Sequence, residues 1–244
     1  MEEFSEIVRK KTRKINLGGV PIGGDAPITV QSMTNTNTSD LQATVAQIRE
    51  LEEAGCEIIR VAVPDQEAVD ALPEIIKKIN LPLIADIHFN HQLAIDAMKA
   101  GVAAIRINPG NISRDKIREV IQVAKEREVV IRIGVNAGSL QKDMVLEYGG
   151  VTAEALVASA LKNIELFEEE GFQNLKLSLK SSDVPVMIES YKLIAEKTDY
   201  PLHLGVTEAG TQVDAAIKSA LGIGTLLYQG IGDTIRVSVT GNPV

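Results

Sequence analysis

The sequence predicts one (β/α)8 TIM barrel preceded by a β-hairpin, and three observations carry that prediction. The chain has 244 residues, close to the ~250 that such a barrel uses as a single unit. Strand-like and helix-like stretches alternate along it, which implies parallel βαβ units. No linker, low-complexity stretch or break in composition divides it, so residues 1–244 are expected to form one domain.

Each element follows from local pattern. Residues 1–13 (MEEFSEIVRKKTR) make a charged leader. Within 14–24, Ile15/Leu17 and Val20/Ile22 flank Gly18-Gly19, a tight hairpin signal, and this hairpin is expected to plug the N-terminal mouth of the barrel. Strand segments then fall at 28–35, 57–63, 82–88, 104–109, 129–136, 174–180, 201–207 and 234–240. Between them, apolar residues three and four apart mark helices such as Leu41–Ala54, Ile112–Glu126, Thr152–Glu170 and Val184–Glu196. An open doubly wound sheet is the competing arrangement, but eight units in this length favour closure. After the eighth strand only Gly241–Val244 remain, so the barrel is expected to lack its last helix.

Composition narrows the function classes. Aromatic residues are 3% of the chain and Trp is absent, so the core must be aliphatic, as parallel sheets usually are. A net charge of −8 argues against a nucleic-acid protein, which would show a basic face. The one cysteine, Cys56, excludes an internal disulfide and fits a reducing cytosol. It falls between the first helix and the second strand, where a structural role is expected. No secretory signal and no apolar run of membrane-spanning length occurs, so a cytoplasmic protein is expected.

Residues two apart on a strand share a face, and here that alternation is chemical. Ile105 and Ile107 oppose Arg106 and Asn108; Ile131, Ile133 and Val135 oppose Arg132, Gly134 and Asn136. Leu175, Leu177 and Leu179 oppose Lys176, Ser178 and Lys180, and Ile235, Val237 and Val239 oppose Arg236, Ser238 and Thr240. Helices must cover the apolar faces, so the polar ones point into the barrel, whose interior is normally branched aliphatic. An antiparallel sheet with one wet face would show the same alternation, but the intervening helices oppose it.

Barrel active sites lie at the C-terminal strand ends. Arg60, Arg106, Arg132, Lys180 and Arg236 can converge there from five strands, with Asn108, Asn136, Ser238 and Glu208 nearby. Such cations are costly to bury unpaired. Asp86 and Glu208 can neutralise part of the charge, and the remainder calls for an anion of about −2 to −3, most simply a diphosphate. Asp86 and His88 share a strand face, with His91 three residues on. Their spacing is compatible with a metal, but a substrate-orienting or carboxylate-bonding histidine is the preferred reading. His203 is expected to be a satisfied core histidine. The stretch GIGTLLYQGIGDT precedes the last strand and lacks the phosphate-loop pattern, so it is read as turn chemistry.

At this point the strings VQSMTNT, RVAVPD, LIADIHFN, AIRINPGNI, RIGVNAGSL, LSLKSSD, GVTEAG and GIGDTIRVSVTGNPV together resemble the 4-hydroxy-3-methylbut-2-en-1-yl diphosphate synthase family, iron–sulfur oxidoreductases of the non-mevalonate isoprenoid pathway. The resemblance runs from about Lys14 to the last residue. It implies a barrel holding 2-C-methyl-D-erythritol 2,4-cyclodiphosphate, which is opened reductively by two electrons with loss of water. By the same resemblance Arg60, Arg106, Arg132, Lys180 and Arg236 bind the diphosphate. Asn108, Asn136 and Ser238 add polar contacts, and Glu208 is the acid near the reacting carbons. The resemblance further implies a [4Fe–4S] cluster on a separate C-terminal domain, docked over the barrel of a partner in a homodimer, with flavodoxin or ferredoxin as electron donor. The sequence departs from the family at that point, since one cysteine cannot supply a cluster. The cluster ligands are therefore expected outside this chain, which is expected to be inactive alone. The alternatives are a pterin-binding barrel resembling dihydropteroate synthase and a non-catalytic diphosphate-binding module.

Overall fold

The computed structural model describes residues 7–244 apart from Phe89 and the side chain of Asn111, so the first six residues of the predicted leader lie outside the described residues. The hairpin forms as the glycines demand. β1 (Ile15–Leu17) and β2 (Val20–Ile22) pair antiparallel, and Gly18 and Gly19 both take positive φ, +58° and +96°, as a two-residue hairpin turn requires.

Eight parallel strands follow: β3 (Thr29–Met33), β4 (Ile58–Ala62), β5 (Leu83–Asp86), β6 (Ala104–Ile107), β7 (Val130–Asn136), β8 (Leu175–Lys180), β9 (His203–Leu204) and β10 (Thr234–Ile235). Their order is β8-β7-β6-β5-β4-β3-β10-β9. A bridge between Leu177 and Leu202, with Leu177 N–H donating to Pro201 O at 2.9 Å, brings β8 back to β9 and closes the ring. The helices between strands are α1 (Leu41–Glu53), α2 (Gln66–Ile76), α3 (His91–Lys99), α4 (Arg114–Glu126), α5 (Lys142–Glu147), α6 (Ala153–Glu169), α7 (Val184–Lys197) and α8 (Gln212–Tyr228). Asp40, Asp65, Thr152 and Asp183 cap four of them by accepting the N–H three residues on, which explains why those helices begin where they do. Among the described residues, seven strand-to-strand connections carry helix and none follows β10.

Two strands are shorter than their pattern. Segments 201–207 and 234–240 reduce to the pairs His203–Leu204 and Thr234–Ile235. Beyond them Arg236 N–H still donates to Leu204 O of β9 at 3.0 Å, but Thr207 donates to Ser181 O at 3.2 Å and Thr240 to Gly210 O at 3.0 Å, both in loops. The glycine-rich stretch is also not all turn. Gly222 and Gly224 lie inside α8, and a Cβ at Gly222 would stand 2.8 Å from Met187 Cε, so that glycine lets α8 pack against α7.

The barrel has two interiors. Outward residues such as Ile59, Val61, Ile105, Ile131, Leu177 and Leu204 join the helices in the main aliphatic core. At the floor, inward Ile58, Ile84, Ala104 and Val130 pack on Ile15, Leu17 and Ile22 of the hairpin, which seals the N-terminal mouth. Cys56 is buried near this end and donates to Ile58 O at 3.1 Å. The described part of the leader is tied down beside it, Arg9 donating to Ala26 O at 2.6 Å and Thr12 to Asp233 Oδ1 at 2.8 Å. Above that floor most of the inward side chains are polar.

Candidate active site

The inward positions of β4, β6, β7 and β8 carry Arg60, Arg106, Arg132 and Lys180, all buried. Registers place Arg106 beside Arg132 across β6 and β7, and Arg132 beside Lys176 across β7 and β8. Arg236, one residue past β10, is half-buried. One carboxylate answers them. Asp86 at the end of β5 lies 3.2 Å from Arg106 Nη1, 3.5 Å from Arg60 Nη1 and 3.5 Å from His88 Nε2. Burial pushes the Asp86 carboxyl up. Arg60, a hydrogen bond from His88, Arg106 and Arg132 together outweigh this and hold it well below the usual carboxylate range.

The cations are strained. Burial, followed by Arg60 and Arg106, pushes Arg132 down, and its Nε and Nη1 are unpartnered among the described residues. Burial and Arg236 push Lys180 well below the ordinary lysine range. Burial and Arg60 push Arg236 down to about 9. Guanidiniums keep their protons in proteins, so this strain is an unmet demand for negative charge.

Two glycines on the inward face make room. A Cβ on Gly134 would stand 2.5 Å from Arg106 Nε, and one on Gly205 would stand 2.7 Å from Lys180 Nζ. Met33 on β3 supports Arg60, whose Nη2 reaches its Sδ at 2.9 Å. Asn108 is buried and donates to Ser139 Oγ at 2.9 Å. Asn136, with its carboxamide oxygen turned toward Arg106, accepts from Nη2 at 2.8 Å. In the sequence Gly134 shows only as an inward strand position, and Gly205, Met33 and Ser139 carry no mark of the site. The two glycines do lie within strand segments, where a glycine marks a close approach.

Two expectations need correction. Glu208 does not share in neutralising the arginines. It is exposed on the loop after β9, and among the described residues no hydrogen bond or ion pair joins it to them. Its φ of +51° is in the left-handed region that non-glycine residues rarely adopt. His203 is buried but only half satisfied: Nδ1 pairs with Thr234 Oγ1 at 2.8 Å and Nε2 has no partner among the described residues. Each of the other two histidines lies near its own carboxylate, His88 near Asp86 and His91 with Nε2 3.7 Å from Glu119 Oε2. Ser238 is half-buried beyond β10, and His88 is exposed at the mouth.

Comparison with known proteins decides the family. The profile of the GcpE TIM-barrel domain matches residues 12–244. The 4-hydroxy-3-methylbut-2-en-1-yl diphosphate synthase (flavodoxin) of Caldanaerobacter subterraneus subsp. tengcongensis is 60% identical over 238 residues, 97% of this chain and 67% of that protein. That of Clostridium perfringens is 56% identical over 237 residues, 97% of this chain and 68% of that protein.

The chain belongs to the 4-hydroxy-3-methylbut-2-en-1-yl diphosphate synthase family.

It is the TIM-barrel part of that enzyme family and spans about two thirds of the length of these relatives. Among solved structures, dihydropteroate synthases from Stenotrophomonas maltophilia and Xanthomonas albilineans match with TM-scores of 0.67 and 0.64 at 14% identity. Each covers 92% of both chains. At that identity the likeness is one of fold alone.

The synthase family implies a [4Fe–4S] cluster, and the residues of this barrel do not fit one. Clusters are held by several thiolates. The only thiol is Cys56, buried near the floor, and burial pushes it up, away from the thiolate form. No group of three or more His, Cys, Asp or Glu among the described residues could hold a metal ion. No helix among them is long and apolar enough to cross a membrane.

Proposed function

We propose that this barrel binds and orients the cyclic diphosphate 2-C-methyl-D-erythritol 2,4-cyclodiphosphate in the reductive ring opening that forms 4-hydroxy-3-methylbut-2-en-1-yl diphosphate. The observation that carries this reading is the charge imbalance of the interior: Arg60, Arg106, Arg132, Lys180 and Arg236 face a single committed carboxylate, Asp86. A diphosphate offers two to three negative charges and planar oxygen pairs that arginine forks match. Asn108, Asn136 and Ser238 supply neutral contacts, and His88, held at Asp86, orients the ring from the mouth. A cavity of about 300 Å³ lined by Asp86, His88, Met33 and mostly apolar neighbours, but by none of the five cations, adjoins them through Asp86.

As the ester C–O bond breaks, negative charge grows on the departing phosphate oxygen. Fixed guanidiniums stabilise that charge without reorganising, an electrostatic contribution. Glu208 stands outside the cation cluster and is the proposed acid–base residue. Its carboxyl moves a proton at a substrate hydroxyl as water departs. Its left-handed backbone fits a residue held in place for a task. A [4Fe–4S] cluster would be held outside these residues, on a partner copy in a homodimer, and would supply the two electrons of the reduction. The relatives are named for flavodoxin, which is the proposed donor in place of ferredoxin.

Calorimetry of this chain with the cyclodiphosphate and with pyrophosphate tests the pocket. Both ligands should bind, more weakly as salt rises, and Arg132→Ala should cost roughly 2–5 kcal/mol. Equal affinity of Arg132→Ala and wild type at low salt would sink the assignment.

A further inference from the structure

The anion pocket has a charged floor of its own. Two repeats of the pleat below Lys180 on β8, with Ser178 between, Lys176 points into the same interior and has no exposed surface. Its Nζ has no hydrogen-bond partner among the described residues. Its register neighbour is Arg132, equally buried and unpartnered at Nε and Nη1. Gln31 on β3 leaves both carboxamide atoms unpartnered, and His203 on β9 leaves Nε2 so. The layer is lined with polar atoms that have no hydrogen-bond partner among the described residues.

The charged groups around this layer do not balance. Arg60 and Arg132 stand beside Lys176, with Arg106, Lys180 and Arg236 toward the mouth. Of the two carboxylates, Asp86 is committed to Arg60 and Arg106. Asp233, below, accepts from Leu202 N–H at 2.8 Å, from Thr12 at 2.8 Å and from Arg9 at 3.4 Å. The four guanidiniums cannot release protons. The amines can, and a fully buried amine beside a guanidinium sheds its proton rather than stay charged. Burial, with Arg132 and Arg60 next, pushes Lys176 well below the ordinary lysine range, with Asp233 opposing. His203 is pushed down by burial and Arg132, so it stays neutral. An anion of two or more charges seated above Arg132 reverses the field that Lys176 experiences.

We propose that Lys176 is a proton-accepting floor residue of the site: it is uncharged in the empty barrel and takes up a proton from solvent when a polyanion fills the pocket. The positive charge of the interior thus rises to meet its ligand. The inference rests on the reading of this pocket as a diphosphate site and adds to it a residue that need not touch the ligand.

The test is calorimetry of pyrophosphate binding to the wild-type chain and to Lys176→Met, at neutral pH, in two buffers of different ionisation enthalpy. Protonation changes of pyrophosphate itself are common to both proteins and cancel in the difference. Wild type should take up more protons than Lys176→Met, by up to about one per site. Binding by both proteins with equal proton uptake overturns the inference and leaves the pocket standing. Absence of binding by wild type overturns the pocket reading and the inference with it. A second variant, Lys176→Gln, keeps the test independent of ligand. Where the unfolded chain holds a proton that the folded chain lacks, stability rises with pH up to about 10.4, the ordinary lysine value. Folded Lys176→Gln should show a shallower rise in denaturant midpoint over the alkaline range, and an unchanged rise also overturns the proposal.

Discussion

Gly134 sets the position of Arg106, because a methyl group there would stand 2.5 Å from Nε and 3.1 Å from Cζ. The atoms it would meet are the far end of a flexible side chain, so Gly134→Ala should fold. Arg106 would then shift away from Asp86 and the phosphate position. A charged hydrogen bond is worth about 1.5–3 kcal/mol, so pyrophosphate affinity should fall by about tenfold or more, while the denaturant midpoint should drop less than in Asp86→Asn, which leaves two arginines without their carboxylate. Calorimetry and urea melts on one preparation check both halves, and unchanged affinity would show that Arg106 has another seat. The cations themselves were legible in the sequence because a period of two exposes which face they share. The carboxylate partner was not: Asp86 and Glu208 look alike in the sequence, and only the register of β5 against β6 and the loop after β9 separate them. Glu208→Gln in the full-length enzyme should therefore keep substrate affinity within a few-fold yet slow turnover strongly, and turnover at the wild-type rate would remove it from the chemistry.

The hairpin and the strands beneath it form one packing unit, and Leu17 is its best probe. It is fully buried among Ile58, Ile84, Ala104 and Val130, where no catalytic group reaches. Leu17→Ala should cost about 2–5 kcal/mol, seen as an earlier melting transition, with pyrophosphate affinity unchanged at temperatures where the variant is folded. A large loss of affinity would mean that the floor also fixes the cation layer. The hairpin was legible because Gly18-Gly19 is demanded by its turn. The lengths of β9 and β10 were not. Alternating residues such as Val206, Val237 and Val239 read as strand whether their N–H groups meet a neighbouring strand or, as Thr207 and Thr240 do, a loop carbonyl. The helical glycines of α8 escaped notice for a related reason. Glycine punctuates turns in sequence, but Gly222 answers to Met187 on α7, a tertiary contact that no local pattern carries.

Across the whole molecule the net charge is −8, yet cations outnumber carboxylates in the interior, and the carboxylate paired with Arg60 and Arg106 is Asp86. Removing that carboxylate leaves Arg60 and Arg106 buried and uncompensated, and breaking such a pair typically costs about 3–5 kcal/mol. Asp86→Asn should therefore melt well below wild type at neutral pH. The pH dependence has a definite sign. The folded carboxyl is held below its unfolded value of about 3.9, so between those values the unfolded chain binds the proton first. The stabilisation is full above about pH 4 and is lost as pH falls toward the folded value. Asp86→Asn should consequently be the more sensitive to neutral conditions and the less sensitive to acid, its midpoint approaching that of wild type as pH drops. Pyrophosphate supplies the missing charge from outside: at about a hundred times its dissociation constant it adds ~2.7 kcal/mol to a folded state that alone binds it. It should raise the melting temperature of both proteins at low salt. Melts of the two proteins from neutral to acid pH, with and without pyrophosphate, check all of this together. Parallel acid limbs would show that Asp86 is not the group whose protonation matters, and an absent pyrophosphate shift in wild type would show that the interior does not accept the anion its charge demands.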